Sequence, residues 1–167
     1  LNSANNGRGI ILGGITGVQP TKVVVLGSGT VAEYAARTAL GLGAEIKVFD
    51  RYIYRLRRLK YAVGQQIHTS TLETDLLAEA IGRADVVIGA LRTEEGRSPI
   101  VVTNEMVAAM KPDSVIVDVS IDQGGCFETS EITTHQDPVF RKHGVIHYCV
   151  PNIASRVAHT ATMALSH

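Results

Sequence analysis

The sequence predicts an α/β fold, a doubly wound and mostly parallel six-stranded sheet with helices on both faces. Three observations predict it. Short β-rich runs alternate with stretches of helical periodicity along nearly the whole chain. The β-rich runs are almost continuously apolar, as strands are when both faces of a parallel sheet are covered. A glycine-rich turn joins the first such run directly to the first helical stretch, as in units that need a crossover helix.

Each element follows from its own residues. Residues 21–26 (TKVVVL) form the first strand and stop at glycine. Residues 29–42 are helical, with Val31, Ala35, Ala39 and Leu42 on one face. Residues 45–50 (EIKVFD) are the second strand. Residues 52–63 are a helix whose exposed face carries Arg55, Arg57, Arg58 and Lys60, read as solvated apart from Arg55. A short third strand at 67–70 precedes a helix at 72–82 that Gly82 ends, and 85–90 (DVVIGA) is the fourth strand. Thr103 caps a helix running to Met110, with Pro112 beyond its end. Residues 114–119 (SVIVDV) and 145–150 (VIHYCV) are the fifth and sixth strands, and 154–165 forms a last helix.

The first twenty residues do not fit this scheme. Gly7, Gly9, Gly13, Gly14 and Gly17 punctuate them and Pro20 closes them, so residues 1–20 are expected to be a connector from an upstream domain and 21–167 the sheet domain. A length of 167 residues suits one ordinary domain with a core of its own. With 45% apolar and 19% charged residues, the chain is globular rather than disordered. A formal net charge of zero argues against general binding to nucleic acid by phosphate neutralisation. No apolar run is long enough to span a bilayer, and no signal peptide is evident. Cys126 and Cys149 read as reduced thiols of a cytoplasmic protein, and neither they nor the scattered histidines have metal-ligand spacing, so no metal is expected.

The chemistry starts at Gly27-Ser28-Gly29-Thr30-Val31-Ala32, a G-x-G-x-x-A run placed between strand and helix. Gly27 permits a tight turn, Gly29 lets backbone approach a pyrophosphate, and Ala32 is small enough for close helix–sheet packing. The first amides of the helix, around Thr30 and Val31, have no internal acceptor and are free to face phosphate. Asp50 ends the second strand 23 residues after Gly27, close to the spacing of about 20 for the carboxylate that receives an adenosine ribose in a dinucleotide-binding Rossmann fold. A carboxylate there favours NAD over NADP, because a 2′-phosphate would meet like charge. Arg51 works in the opposite sense, since an arginine can receive that phosphate.

A second cluster follows the fifth strand. VDVSIDQGGCFETS (117–130) places Asp122 beyond the strand's carboxyl end, with Gly124 and Gly125 allowing a reversal, and Pro151-Asn152 leaves the sixth strand at the same rim. A carboxylate and an amide are therefore expected to converge on the nicotinamide end. IDQGGCFETS, Thr133-Thr134-His135, the run from His147 to Asn152, the opening GGITGV (13–18) and Met110-Lys111-Pro112 together resemble the alanine dehydrogenase branch of the alanine dehydrogenase and pyridine nucleotide transhydrogenase family, over essentially the whole chain.

The resemblance implies an NAD(H)-binding domain of an enzyme that interconverts L-alanine with pyruvate and ammonium. It implies an active-site role for Asp122 and cofactor contacts for Asn152, Asp50 and Arg55, the last on the adenine side. It also implies that Ala90, Leu91 and Val119 line the cofactor groove. It places the substrate-binding arginine and lysine and the catalytic histidine in a separate domain. This chain alone is thus expected to bind cofactor without turning over amino acid, and the full-length protein to be a homo-oligomer acting on a small amino or keto acid.

Other readings remain open: a non-catalytic NAD-binding regulatory module, a transhydrogenase-type nucleotide subunit, against which the IDQGGCFETS block argues, and a methyltransferase with a glycine-rich first loop. Cys126 is read as a packing residue, His147 as a satisfied core or rim histidine and His135 as a solvated loop residue. His68 is read as either a neighbour of the adenine at the third strand's end or a bystander.

Overall fold

The computed structural model describes residues 1–3, 6–92 and 96–157. Seven strands form one sheet: β1 (Lys22–Leu26), β2 (Glu45–Asp50), β3 (His68–Thr71), β4 (Val86–Gly89), β5 (Val115–Asp118), β6 (Val139–Lys142) and β7 (Val145–Tyr148). Their order is β3-β2-β1-β4-β5-β7-β6. All neighbours are parallel except β6 and β7, which are antiparallel. The helices are α1 (Thr30–Gly41), α2 (Ile53–Val63), α3 (Thr74–Arg83) and α4 (Asn104–Ala108).

The β1 run shows why the sheet is covered twice. Val23 and Val25 belong to one core cluster with Ala32, Ala36, Leu56 and Leu59 of α1 and α2. Val24 and Leu26 belong to the other, with Leu77 and Ile81 of α3 and Val107 of α4. Alternate side chains of a strand point to opposite faces, so a run that is apolar throughout needs helices on both. Fully burying one leucine such as Leu59 contributes roughly 1.5–3 kcal/mol.

The buried stripe of α1 is Ala32, Ala36 and Ala39, one residue out of phase with the face expected at its start. Val31 is 49% and Leu42 57% exposed. These small residues pack against Val23 and Val25 of β1. The predicted helix to Met110 is shorter, as Asn104–Ala108, and Thr103 Oγ1 accepts from Met106 N–H at 3.3 Å as its cap. Of the expected last helix at 154–165, the structure describes a single 3₁₀ turn at Ile153–Val157, and 158–165 lies outside the described residues.

The sheet has seven strands rather than six. The additional one, β6, forms a hairpin with β7 through His143 and Gly144, whose φ values are +53° and +73°. Two central residues at positive φ make the turn whose twist matches the flanking strands. Its short, half-exposed run VFRK carries two cations on a sheet edge, which discourages pairing with another chain.

The first segment lies along the amino ends of the strands. Asp85, just before β4, accepts from Arg8, from Lys111 Nζ at 2.9 Å and from Lys22 N–H at 2.9 Å. Thr21 Oγ1 donates to Ile11 O at 2.7 Å. No helix among the described residues is long and apolar enough to cross a membrane.

Candidate functional site

The strand order reverses between β1 and β4. Chain from β1 proceeds outward through β2 to β3, then returns to the other side of β1. Loops leaving β1 and β4 therefore part at their carboxyl ends and leave a crevice. A cavity of about 400 Å³ lies there, lined by Gly27, Ser28, Gly29, Asp50, Arg51, Tyr52, Tyr54, Arg55, Leu72, Ala90, Leu91, Arg92 and Pro99. Seven of the residues singled out in the sequence thus line one cavity: Gly27, Gly29, Asp50, Arg51, Arg55, Ala90 and Leu91. Thr30 and Val31 follow at the exposed start of α1.

The two glycines do different work. Gly27 has φ +106°, and a Cβ on it would stand 2.5 Å from Ala90 O. Its N–H donates to Phe49 O at 2.7 Å. The turn thus lies in contact with both neighbouring strands' exits. Gly29 has an ordinary φ of −76°, and a Cβ on it would meet nothing within 4 Å. Space is kept open there, at the N-cap of α1, where unsatisfied amides favour an anion. The cradle fits a pyrophosphate.

Asp50 is only 5% exposed. Its Oδ2 accepts from Ser28 Oγ at 2.6 Å and its Oδ1 from Tyr52 N–H at 2.9 Å. Each oxygen keeps a further lone pair, so the carboxylate is oriented without being saturated. The guanidinium of Arg55 lies over Tyr52, 4.9 Å from the ring centroid, and over Tyr54 at 5.8 Å. A flat cationic and aromatic wall follows the carboxylate, suited to a sugar and a planar base.

Ser28 on this wall and Arg58 beside it escaped sequence reasoning. Ser28 sits at an unspecified position of the motif, and nothing local says that its hydroxyl reaches Asp50. Arg58 was read as solvated, yet its Nη2 donates to Ser28 O at 2.7 Å and its Nη1 pairs with Glu33 at 3.2 Å. It ties α2 to the glycine turn and to α1. His68 does not neighbour the site: it opens β3 opposite Lys47, at the strand's amino end, while Asp50 pairs with Thr71.

The second cluster stands beyond β5 and β7. A 3₁₀ turn, Val119–Gln123, carries Val119 and Asp122. Asn152 follows β7 with φ +51°, and its N–H faces the Asp122 carboxylate with both oxygens at 3.2 Å. The two residues therefore meet through the Asn152 backbone N–H. Val119, Asp122 and Asn152 do not line the cavity; they follow β5 and β7 at the same carboxyl end of the sheet.

Sequence reasoning also passed over Asp118. It is fully buried and accepts from Ser120 N–H, Cys126 N–H and the Ser130 hydroxyl. Burial pushes its carboxyl above the usual carboxylate range, against the pull of those donors. Cys126 is buried, and burial together with the charge of Asp118 pushes its thiol well up, so it packs rather than reacts. His147 is buried between Val145 O at Nδ1 (3.0 Å) and Thr129 Oγ1 at Nε2 (2.8 Å), a satisfied core imidazole. His135 hydrogen-bonds Ser155 Oγ at 3.1 Å in an exposed loop. No group of three or more His, Cys, Asp or Glu side chains among the described residues could hold a metal ion.

Comparison with known proteins now decides the family. The family model described as alanine dehydrogenase/PNT, C-terminal domain, matches residues 1–167. The chain belongs to this family. Alanine dehydrogenase from Halomonas elongata is 48% identical over 166 residues, which is 99% of this chain and 45% of that protein. The Bacillus subtilis alanine dehydrogenase is 45% identical over 167 residues, 44% of its length. Among solved structures, an L-alanine dehydrogenase superposes with TM-score 0.94 at 43% identity, covering 99% of this chain and 46% of that one. A transhydrogenase from Sinorhizobium meliloti gives TM-score 0.76 at 30% identity, covering 87% of this chain and 41% of that one. The chain thus spans less than half the length of the alanine dehydrogenases it matches.

Proposed function

We propose that this chain is the NAD(H)-binding domain of an L-alanine dehydrogenase, with residues 21–167 as the nucleotide domain and 1–20 as a connector from a second domain. The whole protein converts L-alanine, NAD and water to pyruvate, ammonium and NADH. The observation that carries the reading is the buried Asp50 carboxylate, pre-oriented by Ser28 and Tyr52 on the wall of the crevice that Gly27 and Gly29 open. The better superposition on an L-alanine dehydrogenase than on a transhydrogenase supports the choice between the two family branches.

The residues divide the work. Gly27, Gly29 and the amides of Thr30 and Val31 receive the pyrophosphate. Asp50 accepts the hydroxyls of the adenosine ribose, each such hydrogen bond contributing roughly 1.5–3 kcal/mol. Arg55 lies along the adenine. Ala90 and Leu91 bound the groove, Val119 stands beyond it after β5, and Asn152 meets the nicotinamide end. Asp122 stands at the rim and holds or moves a proton on the substrate. Bound nicotinamide supplies the hydride chemistry. Asp50 favours NAD over NADP, since a 2′-phosphate would face its charge. Two buried thiols without a disulfide agree with the cytoplasm. The alanine pocket belongs to the part of the protein outside this chain, whose full-length form we take to be a homo-oligomer.

Calorimetric titration of this chain with NADH and NADPH tests the reading. NADH binds, NADPH binds at least about tenfold more weakly, and L-alanine or pyruvate gives no heat on its own. Absence of NADH binding rules out an autonomous cofactor site. Turnover of L-alanine by the full-length protein separates a dehydrogenase from an NAD-binding regulatory module.

A further inference from the structure

Asp118 ends β5 with its side chain wholly out of solvent, and donors from one loop converge on it, two N–H groups and a hydroxyl together with the Cys126 thiol, whose Sγ lies 3.9 Å from Oδ1. Ser120 N–H reaches Oδ1 at 3.0 Å. Cys126 N–H reaches Oδ2 at 3.1 Å and Ser130 Oγ the same oxygen at 2.6 Å. Backbone N–H groups can only donate, so both oxygens must accept. The space around the carboxylate is closed by two glycines. A Cβ on Gly125 would lie 2.6 Å from Oδ2, and one on Gly89 would lie 3.1 Å from Oδ1.

Asp122 sits between the first two of these anchors. Its own carboxylate, at the surface, meets only the Asn152 N–H among the hydrogen bonds described above. Ser120 is the joint. Its N–H is held by Asp118, and its hydroxyl donates to Leu91 O at 2.8 Å, on the wall of the nucleotide cavity. Gly125 N–H returns to Ser120 O at 3.0 Å. The chain of contacts therefore runs from the cavity wall through Ser120 to Asp118, and from Asp118 to the turn that displays Asp122.

We infer that Asp118 is a positioning residue of the site: it fixes the loop bearing Asp122 in register with the cavity wall at Leu91. The inference rests on the dehydrogenase reading above. A one-ångström displacement of a reacting group can lower a rate by about 100-fold, and the loop has no other buried carboxylate to gather its amides.

The test uses the full-length protein with D118N, D122N and the double variant. Asparagine has one acceptor, so whichever way it turns, its NH₂ opposes a donor from Ser120, or from Cys126 and Ser130. D118N is expected to lower kcat for L-alanine oxidation by about 100-fold while NADH affinity stays at the wild-type value. If Asp118 acts through Asp122, the double variant is no slower than D122N alone. Should D118N fail to fold, S130A removes a single donor and shows the same kcat-specific loss at smaller size. Wild-type kcat in D118N or in S130A, a parallel loss of NADH binding, or multiplying effects of D118N and D122N overturns the inference. A wild-type protein that binds NADH but does not oxidise L-alanine overturns the dehydrogenase reading first and this inference with it, and that outcome is seen before any variant is made.

Discussion

At the scale of single residues, the two glycines of the turn make opposite predictions. Gly27 is held at φ +106° with Ala90 O where its Cβ would be. G27A is expected to lose stability by at least about 1–3 kcal/mol from backbone strain alone, and NADH binding with it. Gly29 has open space at its Cβ and extended backbone, so G29A costs less than about 1 kcal/mol as an N-cap change. In the proposed binding mode its methyl would stand where phosphate approaches, and NADH affinity is expected to fall by about tenfold or more. Denaturant melts beside fluorescence titrations separate the two, and equal loss of stability in both variants would contradict this division. The motif and Asp50 were legible because each is fixed by local backbone or by strand length. Ser28 and Arg58 were not, because a hydroxyl and a guanidinium reveal their partners only when α1, α2 and β2 are brought together.

At the scale of elements, the hairpin of β6 and β7 was only half legible. VIHYCV reads as a strand through its apolar run, whereas VFRK lies on an edge and carries no such run. The two-residue turn containing Gly144 was the available signal. The hairpin encloses His147, whose ring stacks on Phe140 with centroids 4.7 Å apart. Burial holds its imidazole below the ordinary value of 6.5, with Lys142 and His143 acting the same way and Val145 O and Glu131 opposing them. An unfolded chain takes up a proton near that ordinary value while the folded one resists. The stability associated with the neutral ring is therefore full above about pH 6.5 and falls as pH drops toward the folded value. His147→Asn is expected to flatten that decline, read as urea midpoints between pH 7.5 and 5. An unchanged slope would show that His147 does not titrate in this window.

At the scale of the whole molecule, the cavity and the Asp122 rim occupy one end of the sheet, and the Asp85 cluster the other. Burial pushes the Asp85 carboxyl up, but the Lys22 N–H and Lys111, with Arg8 in support, outweigh it and leave it below the usual value of 3.8. A depressed carboxyl contributes stability above its unfolded value and loses it as pH falls through the folded one. D85N is expected to lower the unfolding free energy by about 1–3 kcal/mol at pH 7, with a smaller difference from wild type below pH 4, and to leave NADH affinity intact. A loss of NADH affinity would mean that the amino end of the sheet shapes the cavity at the carboxyl end.

The sequence by itself determined the α/β alternation, the crevice-forming glycine turn, the carboxylate that ends β2 and the family. Each of these is written in periodicity, in a backbone angle that only glycine adopts readily, or in a block of contiguous residues. It also placed Asp122 and Asn152 at one rim, because both follow strands of the same sheet. Only the tertiary structure decided the strand count, the buried face of α1, the reach of Arg58 to the turn and the gathering of the 120–130 loop on Asp118. Those depend on contacts between residues far apart in the chain, where the partner of a polar group is set by strand order and register and not by its neighbours in sequence.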